Sequence, residues 1–407
     1  MFEKINLQLF ADQNVQVTTQ SSMSPTMKTF YDTALLENAR ENQVFSQLGE
    51  KQPLPAGNGN KIEWRKFNTF AKALTPLTEG VNPDGSNFGM TKIEAECTQH
   101  GDYTTISDRL ELEAYDDVIY GATEEMGAAG GATQDTLTRN VLVAGTSVMY
   151  APKADGTVIT SRSKLDGTCL MTRALVKKCV TFLKKNKAPK IDGKYVAIIH
   201  PSVAEDLRSD PAWEDVHKYA AVTEIFNGEI GELEGARFIE YNDGKIWRGK
   251  DLTAAARNLT VKTAVSSAGN TIAVKEALTA EDIAAIKGRS VLIGGVLNKI
   301  TAAAAGSITV ETAITCAADD VIYPGEGGSE GLGVYATLFL GSKAYGVVDP
   351  EKAGMEMIIH SKEQAGGPLN MYSTVGYKFK HGAKILYPER MIRVESCSTY
   401  STVDEEN

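Results

Sequence analysis

A two-stranded pattern stands out near the start of the chain. The run Lys61–Phe67 places Ile62, Trp64 and Lys66 on one face and alternates them with charged residues, and 90–97 alternates in the same way. Period-two alternation with β-branched and aromatic residues predicts strands. About twenty residues rich in proline and glycine separate the runs. Hairpin loops usually have two to five residues, so the pattern predicts an extended ribbon.

The apolar face of this ribbon needs a cover, because an isolated two-stranded ribbon is marginally stable in water. A neighbouring copy of the chain is one candidate. The expected contact residues between subunits are then Ile62, Trp64, Lys66 and Ile93. The alternative is that 51–106 forms a surface excursion that packs on its own domain.

Helical spacing appears on both sides of the ribbon. Residues 27–48 repeat apolar positions at intervals of three and four. Tyr31 and Phe45 in this arm are also expected at subunit contacts. Residues 109–148 repeat in the same way and predict a spine helix of roughly 60 Å. The glycines within 127–131 permit a close helix crossing or a kink.

An α/β pattern fills 169–249. The continuous apolar run Tyr195–Ile199 predicts a buried strand, and Pro201–Arg208 predicts a helix with proline at its first position. From 250 to 330 the chain is rich in Ala, Thr, Val, Ile and Gly, with short strands at close spacing. This composition predicts a small barrel or sandwich inserted into the α/β unit, which resumes in 331–407.

Composition restricts the class of function. The chain has 407 residues and a formal net charge of −10, which argues against a general nucleic-acid binder because phosphate neutralisation needs clustered Lys and Arg. Its longest apolar run is far below the ~20 residues of a membrane helix, so no membrane partner is expected. The five cysteines are scattered without a Cys-x-x-Cys pair, which predicts reduced thiols.

No motif predicts catalysis, a cofactor or a metal. The Gly-rich stretch 325–333 precedes a strand and lacks the Lys-Ser or Lys-Thr of a phosphate loop, so a linker is expected. The five histidines include no i, i+4 ligand pair, and His200 is expected to serve a structural role at a strand end. One helix carries a basic face, interpreted as solvated or between subunits rather than as a nucleic-acid patch: Lys177, Lys178, Lys184, Lys185 and Lys187. We therefore expect no enzyme.

Several stretches resemble one protein family. They are 27–36 (MKTFYDTALL), 105–112 (TISDRLEL), 137–146 (LTRNVLVAGT), 197–201 (AIIHP) with 206–208 (DLR), 366–372 (GGPLNMY), 376–379 (GYKF) and 385–391 (ILYPERM). Together they resemble the major capsid proteins of tailed bacteriophages, in the branch typified by the podophage N-four coat protein.

The resemblance implies an α+β fold of the Hong Kong 97 type. Its expected parts are an N-terminal arm with a helix (1–50), an extended β-loop (51–106), a peripheral domain with a spine helix (107–168), an axial α/β domain (169–249) and a return to the axial and peripheral domains (331–407). The arm, the ribbon, the long helix and the α/β unit agree with the residue patterns above. The inserted all-β domain (250–330) departs from the basic pattern of the family and is expected from composition alone.

The resemblance also implies a function. Many copies would form the pentamers and hexamers of an icosahedral shell that encloses double-stranded DNA, assembled in the cytoplasm of a bacterial host. The implied partners are a portal and separate scaffolding or decoration proteins. Two alternatives stay open: an encapsulin-like compartment shell, and a surface-binding protein that uses the inserted β-domain.

Overall fold

The computed structural model describes residues 43–407 except 56, 58, 68–69, 71, 73, 75, 77–78, 81–84, 86, 114–117, 211–228, 352–353, 363 and 365–369. The helices of this part are α1 (Phe45–Leu48), α2 (Asp108–Glu113), α3 (Val118–Val143), α4 (Arg173–Lys185), α5 (Pro201–Arg208) and α6 (Ala280–Ile286). The strands are β1 (Glu50–Leu54), β2 (Lys61–Phe67), β3 (Met90–Glu96), β4 (Thr98–Ser107), β5 (Val148–Tyr150), β6 (Tyr195–Ile199), β7 (Glu229–Leu233), β8 (Ala236–Glu240), β9 (Ile246–Trp247), β10 (Leu259–Thr260), β11 (Val265–Ala273), β12 (Ser290–Ile293), β13 (Val296–Ala304), β14 (Ser307–Cys316), β15 (Val321–Pro324), β16 (Val334–Leu340), β17 (Tyr345–Pro350), β18 (Glu356–His360), β19 (Tyr372–His381), β20 (Ala383–Ile385) and β21 (Met391–Ser396).

These elements form two compact units. The first contains the described residues of Met1–Leu137 together with Val347–Gly382, and the second contains Thr138–Gly346 together with Ala383–Asn407. The six-part division expected from the sequence is finer than this one and stays a prediction.

The first unit is built on an antiparallel sheet with the order β18-β19-β4. One face of this sheet packs on α3. The buried core there comprises Ile106, Met357, Val375, Tyr377 and Phe379. Gly130 of α3 lies at the closest approach, because a Cβ at this position would come within 3.0 Å of Met355 Cε and 3.3 Å of Tyr377 Cδ2. Gly130 therefore permits close packing of α3 on the sheet, whereas the sequence led us to expect a close helix crossing or a kink.

The single long helix predicted over 109–148 is wrong in its extent. α2 ends at Glu113, and α3 has 26 residues, which corresponds to about 39 Å. α3 stops before Gly145, where a Cβ would lie only 3.0 Å from the carbonyl oxygen of Leu142, and the apolar residues that follow enter β5. In the arm, α1 begins at Phe45. Of the helix predicted over 27–48, residues 27–42 lie outside the described part of the chain, and residues 43–44 precede α1.

The second unit contains a mixed sheet with the order β5-β21-β16-β6-β8-β7, and β9 pairs with β16. β6 is parallel to β8 and antiparallel to β16. All five residues of β6 are buried, as a strand covered on both faces requires, so the prediction for Tyr195–Ile199 is confirmed. The helix predicted over Pro201–Arg208 is confirmed as α5.

α4 covers one face of the same core through apolar residues at helical spacing. Those buried are Leu175, Val176, Cys179, Val180 and Leu183. Their partners in the core include Tyr195, Phe238, Tyr335 and Phe339. The remaining face of α4 is left to solvent, as expected of an amphipathic helix.

Residues 259–324 form a closed six-stranded barrel, one of the two architectures predicted from the sequence. The strand order is β10-β15-β12-β13-β14-β11. The ring closes because Val261 bridges Val274 and the backbone N–H of Lys262 donates to the oxygen of Ala273 at 2.8 Å. Inside lie the buried side chains Leu259, Val261, Ile272, Val274, Val291, Ile293, Ile300, Ile308, Val310 and Ile322.

Two arginines tie together the segments that enter and leave the barrel. Arg257 donates through Nη2 to the carbonyl oxygens of Arg248 at 2.7 Å and Gly331 at 3.1 Å. Arg289 donates to the carbonyl oxygen of Asp251 at 2.8 Å. Because Arg257 donates hydrogen bonds to both connecting segments, these two segments are held together at the base of the barrel.

The Gly-rich stretch 325–333 connects β15 to β16, as predicted, but it is closely packed. A Cβ on Gly327 would lie 2.6 Å from the oxygen of Leu332, and one on Gly328 would lie 2.6 Å from the oxygen of Leu165. Glycine is required here because the backbone segments approach too closely for any side chain.

We predict that residues 250–330 fold when expressed alone. The barrel has a closed ring of hydrogen-bonded strands and its own buried core, so it depends little on the remainder of the chain. The isolated fragment should unfold cooperatively on heating, as followed by circular dichroism, and should give a dispersed amide spectrum. A fragment without a cooperative transition would contradict an independent domain.

Candidate assembly surfaces

β2 and β3 form the ribbon predicted from the sequence. They are antiparallel, with Ile62 opposite Ala95, Trp64 opposite Ile93 and Phe67 opposite Met90. The register places the first two pairs on one face and the third on the other, because successive side chains alternate across a strand. The ribbon therefore offers an apolar face along its length and a different surface at its far end.

The base of the apolar face is covered by its own chain. Ile62 and Ala95 are buried in a cluster with Leu54, Cys97 and Val348. Residues distant in sequence thus cover Ile62 within the same unit, without a neighbouring copy, and its contact with another subunit stays a prediction. To this extent the alternative of packing on its own domain is correct.

Trp64, Ile93 and Lys66 lie further along the ribbon and are only partly buried. The indole Nε1 of Trp64 is buried and has no hydrogen-bond acceptor in the part of the chain that the structure describes. These three residues keep surface for another molecule, and their contact with a neighbouring subunit stays a prediction.

The far end of the ribbon carries an exposed aromatic cluster that sequence reasoning missed. The Phe88 ring stacks on Phe67 at 5.0 Å and on Phe70 at 5.5 Å between centroids. Even so, Phe67 is 59% exposed and Phe88 61% exposed, and Met90 beside them is also exposed. A group of exposed apolar side chains in mutual contact is a candidate interaction surface. We call Phe67, Phe70, Phe88 and Met90 the tip cluster.

The charged face of the ribbon is paired internally. Lys92 Nζ contacts Glu63 at 2.8 Å and Glu94 at 2.5 Å, and Arg65 Nε contacts Glu63 at 2.9 Å. The hydrogen bond from Lys92 is the main cause that lowers the pKa of Glu63, and the hydrogen bond to Glu63 raises the pKa of Lys92. Each of these four charged residues therefore has an ion-pair partner within the ribbon.

The two predicted contact residues of the arm have different outcomes. Tyr31 lies outside the described residues. Phe45 is buried at the start of α1, where the Asp135 carboxylate accepts backbone hydrogen bonds from Val44 at 3.1 Å, Phe45 at 3.2 Å and Ser46 at 2.7 Å. Asp135 thus fixes the arm to α3, and Phe45 packs inside its own unit. Because the Phe45 side chain is not exposed, the structure gives no support for a contact between Phe45 and another subunit.

A buried histidine lies at the end of β19 beside the base of the ribbon. Burial, with a smaller contribution from His100, lowers the pKa of His381 from 6.5 to about 4. The His381 ring meets the Phe379 ring edge-on at 6.4 Å, and His100 lies 5.8 Å from the same ring. The folded chain therefore holds His381 neutral at pH 7.

We predict that acid weakens the first unit through His381. Between pH 6.5 and 4 the unfolded chain binds a proton at this position and the folded chain does not, so stability falls as the pH falls. The loss should reach about 3 kcal/mol near pH 4. Urea unfolding of the protein and of His381→Asn at pH 7 and pH 4.5 measures it. An equal loss in both proteins would contradict the assignment to His381.

His200 lies at the end of β6 and the start of α5. His200 caps α5, where its Nδ1 accepts from the backbone N–H of Ser202 at 3.2 Å, so the structural role expected for it is confirmed. Within the described ranges no group of three or more His, Cys, Asp and Glu is placed to hold a metal ion. No helix among the same residues is long and apolar enough to cross a membrane.

Comparisons with known proteins give one consistent result. The family model of the phage capsid protein matches residues 125–362, more than half of the 407-residue chain. No curated protein sequence matches the chain.

Solved capsid structures have the same fold at low sequence identity. The chain is similar to one in the capsid of cyanophage Pam1, with a TM-score of 0.54 and 12% identity over 90% of this chain and 93% of that one. It is similar to a chain of cyanophage P-SCSP1u, with a TM-score of 0.52 and 14% identity over 88% and 89%. The chain is also similar to one in the capsid of Ralstonia phage GP4, with a TM-score of 0.52 and 12% identity over 90% of this chain and 93% of that one.

Proposed function

Because the chain belongs to the phage capsid protein family, we propose that it is the major capsid protein whose copies form the pentamers and hexamers of an icosahedral shell around double-stranded DNA. The fold is the α+β Hong Kong 97 type expected from the resemblance. The role is structural, and the site of action is the capsid of the virion. Assembly takes place in the host cytoplasm, with a portal and separate scaffolding or decoration proteins as partners.

The tip cluster is the observation that carries the assembly proposal. Its aromatic rings stack on one another and still expose more than half of their surface. Burying a large apolar side chain contributes roughly 1.5–3 kcal/mol. In a closed shell every subunit repeats this contact, so a modest contribution per ribbon strongly favours the assembled state.

Because the charged residues of the ribbon pair with one another, the tip cluster is the main surface that the ribbon offers for contact with another subunit. Glu63, Arg65, Lys92 and Glu94 form their ion pairs before any neighbour arrives. Such exposed pairs add little affinity, and only the pair of Lys92 with Glu63 connects the two strands. The ribbon then presents Trp64 and Ile93 on one face and the tip cluster at its end.

The contents of particles distinguish a phage shell from an encapsulin-like compartment. Expression together with the neighbouring genes of its source, followed by purification of intact particles, should yield shells with a portal protein and nuclease-protected DNA. Particles that instead contain a single enzyme cargo and no portal would overturn the phage assignment.

A further inference from the structure

The exposed face of α4 carries four lysines in a single group. With about 100° between successive residues, Lys177, Lys178, Lys184 and Lys185 lie within an arc of about 120°. Only Ala174 and Thr181 share this arc. The four lysine side chains are exposed, whereas the opposite side of the helix is buried in the core of the second unit.

These lysines have no acidic neighbours on the helix. Residues three and four positions away could form stabilising ion pairs, but none of those positions holds Asp or Glu. The ion pairs found among the described residues include other lysines, such as Lys153 with Asp166 and Lys194 with Glu232, and none of these four. In a chain with a net charge of −10, a helix face of purely positive charge is an exception.

The helix dipole explains only part of this arrangement. A positive charge near a helix C-terminus is favourable, but the effect fades beyond the last turn. Lys184 and Lys185 lie in that last turn. Lys177 and Lys178 lie about 10.5 Å earlier along the axis, where the dipole gives them no comparable stabilisation.

The basic group also continues past the helix. Lys187 and Lys190 follow and are both exposed. Lys187 has φ +53° at the position where a helix usually ends with glycine, and its backbone N–H donates to the oxygen of Lys184 at 3.0 Å. The chain therefore places another positive side chain at a backbone position that favours glycine.

We propose that this lysine face of α4 binds the phosphate backbone of double-stranded DNA inside the shell. The inference rests on the proposed function, which supplies the DNA, and it assigns the contact to residues that the sequence alone suggested were solvated or between subunits. Phosphate contacts need clustered positive charge and no sequence-specific shape. A protein partner would be expected to bury an apolar or aromatic anchor, and this face offers only Ala174 and Thr181.

The test compares DNA binding by two variants of equal charge. The full chain carrying K177Q, K178Q, K184Q and K185Q should bind a duplex of about 30 bp at least tenfold more weakly than the wild type at about 50 mM salt, and its salt slope should fall by about 3 to 4. The control carries K262Q, K287Q, K299Q and K384Q, which remove four exposed lysines elsewhere. The control should stay within about twofold of the wild type.

The remaining outcomes separate this inference from the proposed function. Arginine at the same four positions should restore binding, since the positive charge is kept. Unchanged DNA binding by the glutamine variant, or an equal loss of binding in the control, would overturn the proposal that the lysine face binds DNA. Loss of a co-purifying acidic protein without loss of DNA binding would overturn it as well. Electron microscopy of the same preparations tests shell formation separately: normal shells with unchanged DNA binding leave the proposed function intact, and absence of shells from the wild type counts against that function alone.

Discussion

Replacing Phe67 and Phe88 with serine should reduce the yield of closed shells at least tenfold and leave the subunit folded. Both side chains are more than half exposed in the subunit, so their loss costs the folded chain little. In the shell each change removes apolar burial worth roughly 1.5–3 kcal/mol, and about 1.4 kcal/mol corresponds to a tenfold change in an equilibrium constant. Size-exclusion chromatography gives the yield, and circular dichroism reports folding.

A matched control separates the tip cluster from exposed apolar surface in general. Val158 and Tyr400 are 76% and 75% exposed and lie outside the ribbon. Their double replacement by serine should leave the shell yield within about twofold of the wild type, because scattered exposed apolar residues are ordinary on protein surfaces. A normal yield of shells from the Phe67 and Phe88 variant would show that the tip cluster is not needed for assembly.

Replacing Glu395 with glutamine should destabilise the second unit by about 3–5 kcal/mol. The Glu395 carboxylate is fully buried and accepts hydrogen bonds from Arg162 at 2.7 and 2.8 Å and from Arg393 at 2.9 Å. Arg162 also stacks on the Trp247 ring at 3.6 Å. Without the carboxylate charge, two neighbouring guanidinium groups repel each other with no counter-charge between them. Urea unfolding monitored by tryptophan fluorescence measures the change.

An exposed ion pair supplies the comparison for Glu395. Lys275 contacts Asp319 in the barrel, and both side chains are at least half exposed. Asp319→Asn should therefore cost less than about 1 kcal/mol, and asparagine tolerates the left-handed backbone of this position, φ +72°. A loss of stability for Glu395→Gln as small as that for Asp319→Asn would show that the buried network contributes little.

The elements that the sequence predicted correctly are those marked by residues close together in the chain. The alternation in Lys61–Phe67 predicted β2, the apolar run Tyr195–Ile199 predicted β6, and the proline of Pro201–Arg208 predicted the start of α5. The spacing of short strands in 250–330 predicted a barrel or sandwich. Alternation in β2 shows which side chains share a face, the unbroken apolar run of β6 marks a strand covered on both faces, and the proline marks a helix start. Each signal can be read from neighbouring residues.

Contacts between distant parts of the chain could not be predicted in this way. Val348 covers Ile62, and Arg162 reaches Glu395 across 233 positions, but no local period links either pair. The tip cluster was missed for a different reason. Phe70 and Phe88 stand in a stretch whose prolines and glycines indicated turns, and turn residues carry no periodicity that would mark a shared surface.

Electron microscopy of the purified full-length protein tests shell formation and the ribbon contact together. We predict closed shells of uniform diameter with icosahedral symmetry, in which pentamers and hexamers are resolved and each ribbon tip lies against a neighbouring subunit. A protein that stays a folded monomer over a wide range of concentration and salt, or that forms only open filaments, would contradict the account.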